Sequence, residues 1–394
     1  MDFTELTVLI VDDDEYQCHL IGKMLMRIGV KQIYEAKSAK LATQMIDRLS
    51  DGVDLIITDL DMPEVDGMEF LRTLSERTIK ISVLIVSGKQ SSILRSVNAM
   101  AREYGLTVVG AIEKPLKLPE LSKILELQLE KSQITASKPQ TPINIDEISK
   151  ALHENQFVPF FQPKIILKGQ KLCGVEALAR WVHPQRGLLN PDVFIYLVEK
   201  FGLMDQLTWT ILEQSVAQLK LWRDADLDIS ISVNFSQTSI TDTDLPKKIL
   251  NLMSEYDLAP ELLVVEITET VAMTDIAPTL ETLSRLRLMG FGLSIDDFGT
   301  GHSSLEMLSR IPYTELKIDK VFVTGAHAQQ HMQPVIESSV SMANKLGLDC
   351  VGEGIESIED MNFLIANGCA IGQGYYFGKA MDVEKFQSWL ESVH

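Results

Sequence analysis

Short apolar segments that each end in a polar side chain recur through the larger, C-terminal part of the chain. One of them begins at Gly292 and ends in Asp296 and Asp297. The polar residues that end these segments are Glu176, Asn234, Glu266, Asp296, Asp297, Lys317, Glu353 and Gln373. Segments of helical periodicity separate them, and this alternation over roughly 250 residues predicts an α/β fold, a (β/α)8 TIM-like barrel. Active-site residues of such barrels lie at the C-terminal ends of the strands, so we expect these side chains to converge.

The same pattern indicates metal-dependent chemistry. A single acid at a strand end is usually a solvated side chain or a helix N-cap, but suitable residues at successive strand ends favour a shared site. Neighbouring carboxylates repel strongly, so their convergence requires cations. Asp296 and Asp297 are suited to holding two cations about 4 Å apart, which would clamp both reacting oxygens of a displacement at phosphorus. Lys317 is suited to orienting the attacking water, and Glu353 to acting as general base or as a ligand of the second cation.

Composition sets the broad class of protein. The chain has 394 residues, 45% of them hydrophobic, and a net charge of 36 − 55 = −19. This length predicts two domains, and the negative charge argues against polymeric nucleic acid as a partner. The cysteines Cys18, Cys173, Cys350 and Cys369 lack zinc or paired spacing, which predicts reduced thiols. Without a signal-peptide pattern or a bilayer-length apolar run, we expect a cytoplasmic protein that does not bind membranes.

The N-terminal part of the chain has its own alternation of strand and helix. Short apolar runs begin at Val8, Asp54, Val83 and Val108. Runs of this kind are typical of a parallel sheet covered on both faces. We therefore predict a doubly wound, flavodoxin-like (βα)5 domain over residues 4–128. A polar, proline-containing stretch over residues 129–145 indicates a linker, and the barrel domain is expected over residues 146–392.

Polar residues also follow the predicted strands of this N-terminal domain. Asp12 and Asp13 follow the first strand, Asp59 the third and Lys114 the fifth, while Ser87 ends the fourth. The carboxyl ends of strands in a doubly wound sheet line one crevice. Three acids in that crevice call for a divalent cation, and hard oxygen ligands suit Mg²⁺. The cation, the lysine and the hydroxyl together are suited to stabilising a phosphoryl group.

Four motifs of this domain resemble the receiver domains of bacterial two-component response regulators. They are Leu9-Ile-Val-Asp-Asp, Thr58-Asp-Leu-Asp-Met-Pro-Glu-Val-Asp-Gly, Ser87-Gly and Glu113-Lys-Pro. The resemblance implies that Asp59 is the phospho-acceptor, with a sensor histidine kinase as phosphodonor. It also implies that Asp12 and Asp13 hold Mg²⁺ and that Ser87 and Lys114 contact the phosphoryl group. Ala111 stands where the family usually has an aromatic residue. The alternative is a receiver fold that only docks partners.

The C-terminal part of the chain resembles EAL domains, the family that hydrolyses cyclic di-GMP to linear pGpG. The signature is Glu176-Ala-Leu-Ala-Arg-Trp. The other matching motifs are Phe161-Gln-Pro, Ser232-Val-Asn-Phe-Ser, Val265-Glu-Ile-Thr-Glu, Asp296-Asp-Phe-Gly-Thr-Gly, Leu316-Lys-Ile-Asp, Gly352-Glu-Gly-Ile-Glu and Gly372-Gln-Gly-Tyr-Tyr-Phe. The resemblance implies a phosphodiesterase that uses two Mg²⁺ or Mn²⁺ ions and forms a homodimer or a higher oligomer.

The resemblance also assigns roles to individual residues. Metal ligands are implied at Glu176, Asn234, Glu266, Asp296 and Asp297. Glu353 acts beside the second metal, Lys317 acts on the attacking water, and Gln373 belongs to the same polar cluster. The residues implied to touch the dinucleotide are Gln162, Leu178 and Arg180, although Arg180 could instead pair with a surface acid. Glu269 is expected to hold the loop that follows Asp297.

Two alternatives to a phosphodiesterase stay open. One is a catalytically silent sensor that binds cyclic di-GMP and acts through a protein partner, which loss of a metal ligand or of Lys317 would favour. The other is a scaffold that works only through protein contacts. His302, where the family commonly has an aromatic residue, is a weak metal-ligand candidate, because a loop histidine more often faces solvent or a helix.

Overall fold

The computed structural model describes residues 3–4, 6–49, 52–62, 67–77, 81–88, 91–135, 143–269, 275–299, 305–329 and 332–393. The chain divides into two compact units, Met1–Thr141 and Pro142–His394. None of the helices in the described residues is long and apolar enough to cross a membrane.

The first unit is a five-stranded parallel sheet with helices between its strands. The strands are β1 Thr7–Val11, β2 Gln32–Ala36, β3 Leu55–Thr58, β4 Ser82–Ser87 and β5 Thr107–Glu113. The helices are α1 Glu15–Ile28, α2 Ala39–Arg48, α3 Gly67–Ser75, α4 Ser91–Glu103 and α5 Leu118–Thr135. The strand order is β2-β1-β3-β4-β5, and β1, β3 and β4 are buried along their whole length. The predicted doubly wound fold is confirmed.

Two features of this unit differ from the prediction. The second strand, β2, was not located from the sequence, because Gln-Ile-Tyr-Glu-Ala is not an apolar run. It lies at the edge of the sheet and is only partly buried. The last helix, α5, continues to Thr135, into the segment predicted as linker. The first proline of that segment is Pro139, so no helix-breaking residue stands before Thr135.

The second unit contains a closed barrel surrounded by helices. Its strands are β6 Phe157–Ile166, β7 Lys171–His183, β8 Gly187–Leu189, β9 Ser230–Asn234, β10 Leu263–Thr268, β11 Gly292–Phe298, β12 Glu315–Ile318, β13 Asp349–Gly352 and β14 Ile371–Gly372. Its helices are α6 Ile145–His153, α7 Pro191–Lys200, α8 Met204–Asp224, α9 Gln237–Ile240, α10 Leu245–Glu255, α11 Ile276–Leu288, α12 Leu305–Arg310, α13 Lys320–Val323, α14 Gln333–Leu346, α15 Ile358–Ala366 and α16 Val383–Val393. Short 3-10 helices cover Pro260–Leu262 and Ala326–Ala328.

The barrel closes because β6 pairs with both β7 and β14. Strands β7 and β9 to β14 run parallel to one another, as a TIM-like barrel requires. The first strand, β6, is antiparallel to both of its neighbours. Only residues 167–170 connect β6 to β7, too few for the crossover that a parallel pair needs. The predicted barrel is therefore confirmed, with one reversed strand.

The last barrel strand is shorter than the predicted segment Ala370–Phe377. Only Ile371 and Gly372 pair in the sheet, after which the chain turns away. Gly374 packs directly on the backbone of Ile355, where an added Cβ would overlap the carbonyl oxygen. The carbonyl of Ile355 accepts a hydrogen bond from Tyr376 N at 3.0 Å. This turn fixes the backbone on both sides of Gln373.

The apolar core of this unit lies between the barrel wall and the helices. Phe161 on β6 packs edge-on against Trp222 on α8, with ring centroids 4.8 Å apart. Trp222 also contacts Phe386 on α16 at 5.0 Å. Apolar packing is thus concentrated outside the strands, while the interior of the barrel carries polar side chains.

Candidate active site

The barrel brings the predicted polar residues together at the C-terminal ends of its strands. Glu176, Glu266, Asp296 and Lys317 are buried residues of β7, β10, β11 and β12. Asn234 ends β9, while Glu353 and Gln373 directly follow β13 and β14. The cluster therefore forms from side chains on seven different strands, as the periodicity predicted.

Lys317 occupies the centre of this cluster and has no solvent exposure. Its Nζ lies 2.8 to 3.3 Å from one carboxylate oxygen of each of four acids, which are Glu176, Glu266, Asp296 and Glu353. Burial alone would lower the pKa of Lys317, but the surrounding carboxylates hold it well above its usual value. Lys317 is therefore positively charged among these carboxylates.

Two amides complete the cluster by donating hydrogen bonds to the acids. Gln373 Nε2 donates to Glu176 Oε2 at 2.6 Å and to Glu353 Oε1 at 3.0 Å. Asn234 Nδ2 donates to Glu176 Oε1 at 3.0 Å. Both oxygens of Glu176 are thereby oriented by neutral donors as well as by Lys317.

A distortion at the end of β11 lets two successive aspartates reach the same site. Successive side chains of a regular strand point to opposite faces. Between Ile295 and Phe298 the register of β11 with β12 shifts, and Asp297 adopts a left-handed φ of 56°. Such a bulge redirects a side chain. The Asp296 carboxylate accepts a hydrogen bond from Asp297 N at 2.9 Å, so the two acids are held side by side.

The carboxylates form two groups that share Asp296. Glu176, Glu266 and Asp296 each offer an oxygen within 4.8 Å of the others, and so do Asp296, Asp297 and Glu353. Carboxylate oxygens are hard ligands of the kind that Mg²⁺ and Mn²⁺ prefer. Within the described part of the chain, the buried Glu266 Oε1 and Gln373 Oε1 accept no hydrogen bond. These oxygen atoms fit divalent cations, with the Asp296 carboxylate between the two groups of ligands.

The acids of the cluster carry shifted pKa values. Burial, with Asp296 and Glu176 nearby, raises the pKa of Glu353 well above its usual value. Burial raises the pKa of Glu266 to about 8, and burial with the adjacent Asp296 raises that of Asp297 to about 6. Burial opposes the shift of Glu176, but Lys317 and Gln373 outweigh it and lower the pKa. Burial therefore favours the protonated forms of Glu266 and Glu353, whereas Glu176 is ionised beside Lys317.

Glu269, which directly follows β10, contacts Gly299, which directly follows β11. Its buried side chain accepts a hydrogen bond from Gly299 N at 2.8 Å. Gly299 adopts a φ of 96°, which is accessible to glycine, and its ideal Cβ would lie 3.0 Å from the ring of Phe322. His302 lies outside the described residues. The contact to Gly299 is what a loop-holding role of Glu269 requires, and that role stays a prediction.

The three predicted substrate contacts lie beside the acids on β6 and β7. Gln162 is paired with Glu176 in the sheet, and its Nε2 donates to Gly378 O at 3.2 Å. Leu178 and Arg180 follow Glu176 at intervals of two, so they share its face of β7. Arg180 is half-buried, and burial lowers its pKa. Their roles toward a ligand stay predictions.

Sequence reasoning missed Lys164 and Glu315, which form a buried ion pair inside the barrel with Nζ to Oε1 at 2.6 Å. Lys164 stands two residues after Gln162, and Glu315 two residues before Lys317. A spacing of two on a strand places side chains on one face. That spacing could have placed Lys164 and Glu315 inside the barrel from the sequence alone. Their ion pair joins strands that are far apart in the sequence, so only the tertiary structure shows it.

The N-terminal unit has a smaller acidic site at the carboxyl end of its sheet. Asp12, Asp13 and Asp59 each offer an oxygen within 4.8 Å of the others. Lys114 Nζ donates to Asp12 Oδ2 and Asp59 Oδ2, both at 2.7 Å. Ser87 is buried at the end of β4. The five residues predicted for this site thus lie at one edge of the sheet.

Burial and Lys114 have opposite effects on the pKa of Asp12 in this smaller site. Burial raises the pKa of Asp12, against the effect of its hydrogen bond with Lys114. The pKa of Lys114 is raised, because its bonds to Asp12 and Asp59 outweigh the opposing effect of burial. The other oxygen of Asp59, Oδ1, accepts hydrogen bonds from Leu60 N and Asp61 N.

Comparison with known proteins places both units. The model of the EAL domain matches residues 145–380, and that of the response regulator receiver domain matches residues 8–126. Cyclic di-GMP phosphodiesterase RocR of Pseudomonas aeruginosa is 34% identical over 391 residues, covering 97% of this chain and 98% of RocR. The chain therefore belongs to the EAL family and carries the receiver domain of response regulators.

Further relatives match a smaller share of the chain. The bifunctional diguanylate cyclase/cyclic di-GMP phosphodiesterase MucR of Pseudomonas aeruginosa is 37% identical over 61% of this chain and 35% of MucR. A solved structure of the MucR phosphodiesterase in complex with c-di-GMP has a TM-score of 0.58 at 37% identity. It covers 61% of this chain and 98% of the solved one.

Proposed function

We propose that the protein is a response regulator that hydrolyses cyclic di-GMP to linear pGpG under the control of its receiver domain. The observation that carries this proposal is the pair of carboxylate groups that share Asp296 at the mouth of the barrel. The names of RocR and MucR and the MucR complex support cyclic di-GMP as the substrate. No observation favours a catalytically silent sensor.

Five residues are proposed as metal ligands. They are Glu176, Asn234, Glu266, Asp296 and Asp297. Two Mg²⁺ or Mn²⁺ ions bound there would neutralise charge on the phosphodiester and lower the pKa of a water molecule. Asn234 suits this role because rotation of its amide would present the carbonyl oxygen in place of the nitrogen that now faces Glu176.

Two further residues handle the proton and the orientation of the water. In the proposed reaction, water attacks phosphorus and one P–O ester bond breaks. The leaving oxygen takes up a proton from solvent and departs as a hydroxyl group. Glu353 accepts the proton of the water, because its carboxylate lies beside Asp296 and Asp297, where the attacking water would be held. Lys317, 2.8 Å from Glu353 Oε1, orients the water, and Gln373 keeps Glu353 and Glu176 in place.

The substrate is proposed to bind along β6 and β7. Arg180 offers a planar donor pair to a phosphate or a guanine edge. Leu178 stands between Arg180 and Glu176 on β7, and Gln162 stands opposite Glu176 on β6. Glu269 is proposed to couple the following loop to the metal ligands through Gly299.

For the receiver domain, Asp59 is proposed as the phosphorylated residue and a sensor histidine kinase as the phosphodonor. Asp12 and Asp13 are proposed to hold one Mg²⁺, and Ser87 and Lys114 to contact the phosphoryl group. The proposed boundaries are 4–128 for the receiver domain, 129–145 for the linker and 146–392 for the EAL domain. A homodimer or higher oligomer and a cytoplasmic location remain predictions.

The direct test is chromatographic detection of pGpG after incubating the full-length protein with cyclic di-GMP and Mg²⁺ or Mn²⁺. We expect turnover by the unmodified protein and a loss of about 10² to 10⁴-fold in the Glu353→Gln variant, which removes the base. The exposed Lys168→Met variant serves as control and should turn over normally. Tight binding of cyclic di-GMP without cleavage, with either metal, would refute the proposal in favour of a sensor.

A further inference from the structure

A second polar layer lies inside the barrel beneath the acidic cluster. Its members are Lys164 on β6, Ser232 on β9, Ser294 on β11 and Glu315 on β12, all buried. Ser232, Ser294 and Glu315 each stand two residues before a member of the acidic cluster, so they share its face of the strand. Barrels of this kind usually fill such layers with bulky branched residues. This layer therefore needs an explanation other than packing.

Hydrogen bonds hold Lys164 in a single position within this layer. Its Nζ donates to both carboxylate oxygens of Glu315, at 2.6 and 2.8 Å, and to Ser232 Oγ at 3.1 Å. Ser294 Oγ donates to Glu315 Oε1 at 2.8 Å, which fixes the acid in turn. Lys164 and Glu315 line a cavity of about 380 Å³ with residues of other strands, such as Gly174 on β7 and Gly292 at the start of β11.

The layer contacts the proposed metal site at Glu266. Lys164 Nζ lies 3.5 Å from Glu266 Oε1, and Lys317 Nζ lies 3.0 Å from Glu266 Oε2. Glu266 is completely buried, and within the described residues its Oε1 has no hydrogen-bond donor. The carboxylate is therefore held between two ammonium groups, one on each side.

Stability does not account for this arrangement. A buried ion pair often contributes less than apolar residues of the same volume, because desolvation offsets the attraction. What the layer adds to the acidic cluster is the contact between Lys164 and Glu266. We propose that Lys164, fixed by Glu315 and Ser232, is a positioning residue that orients Glu266 for metal binding. This inference rests on the proposed function to the extent that Glu266 is a metal ligand there.

The test removes the ion pair as a unit. Lys164→Met alone would leave Glu315 buried and unpaired, which is strongly destabilising, whereas Lys164→Met/Glu315→Gln leaves no unpaired charge. Mn²⁺ affinity is measured on the full chain without substrate, by titration calorimetry or by the electron paramagnetic resonance signal of free Mn²⁺. We expect the double variant to bind Mn²⁺ about 10 to 100-fold more weakly, the usual effect of removing a residue that orients a ligand.

Val216→Ala is the matched control for a general loss of stability. Val216 is fully buried on α8, outside the barrel, so its truncation destabilises the unit without touching the polar layer. Its Mn²⁺ affinity should equal that of the unmodified protein. At saturating Mn²⁺, the KM of the double variant for cyclic di-GMP should stay within about twofold of that of the unmodified protein. The reason is that the orientation of a metal ligand does not change the contacts that bind the substrate itself.

Unchanged or tighter Mn²⁺ binding by the double variant, or an equal loss in Val216→Ala, would overturn the inference. Relief of charge repulsion predicts tighter binding, so the sign of the change separates the two effects.

If the double variant does not fold, Ser232→Ala decides, because it removes one bond to Lys164 without burying a charge. It should weaken Mn²⁺ binding to a smaller extent, and no loss would contradict the inference. Because affinity is read without substrate, failure of wild-type hydrolysis would count only against the proposed function.

Discussion

Replacing Lys317 by methionine tests how the carboxylates at the mouth of the barrel are held together. The side chain is fully buried, and its Nζ lies within 3.3 Å of four carboxylates. Removing one partner of a buried ion pair costs about 3–5 kcal/mol. For a unit of this size, about 1 kcal/mol shifts the melting temperature by about 2–4 °C. We therefore expect Lys317→Met to lower the melting temperature of the barrel unit by about 6–20 °C in the presence of a chelator.

Divalent cations should reverse much of this loss, because they replace the ammonium as the positive charge between the acids. A ligand at about 100 times its Kd stabilises the folded state by about 2.7 kcal/mol. Thermal unfolding followed by calorimetry, with chelator and with Mn²⁺, measures both effects. Lys168→Met, on an exposed lysine, is the control and should melt as the unmodified protein does. A Lys317→Met protein that melts within about 2 °C of wild type in chelator, or whose deficit Mn²⁺ leaves unchanged, would refute this reasoning.

Three further predictions follow from the structure. Burial raises the pKa of Glu266 from 4.5 to about 8, so its proton favours the folded state at low pH, and this contribution is lost as pH rises from about 4.5 to 8. Mn²⁺ must displace that proton, so its affinity, measured by calorimetry, should increase between about pH 6 and pH 8, and a flat profile would contradict the assignment. Asp59→Asn should abolish labelling by an acyl-phosphate donor and with it any change in turnover, whereas continued labelling, read by phosphate-affinity electrophoresis, would place the phosphate elsewhere. Gly374→Ala should lower kcat by more than about tenfold, because the added Cβ overlaps the backbone of Ile355 and displaces Gln373, and wild-type kinetics would disprove that coupling.

Much of the acidic site could be predicted from the sequence because barrel geometry converts strand ends into neighbours. Asp296, Lys317 and Glu353 stand at the ends of apolar runs, and the rule that strand ends meet at one mouth was enough to bring them together. No distance between strands was needed for that inference. The bulge at Asp297 was not foreseen, since a left-handed aspartate leaves no mark on apolar periodicity.

Features that depend on which strands pair with each other could not be predicted from the sequence. Alternation of strand and helix implies parallel strands, so the reversed β6 was not predicted, although the short connection to β7 excludes a crossover. The pair Lys164 and Glu315 comes from β6 and β12, strands that do not pair with each other. The edge strand β2 lacks an apolar run because only part of it is buried.

The central claim is that two divalent cations bind at the mouth of the barrel and share Asp296. Anomalous diffraction from crystals of the full chain soaked in Mn²⁺ tests it most directly. The account predicts two peaks about 4 Å apart, one beside Glu176 and Glu266 and one beside Asp297 and Glu353, with Asp296 touching both. An absence of peaks, or a single ion held without Asp296, would contradict it.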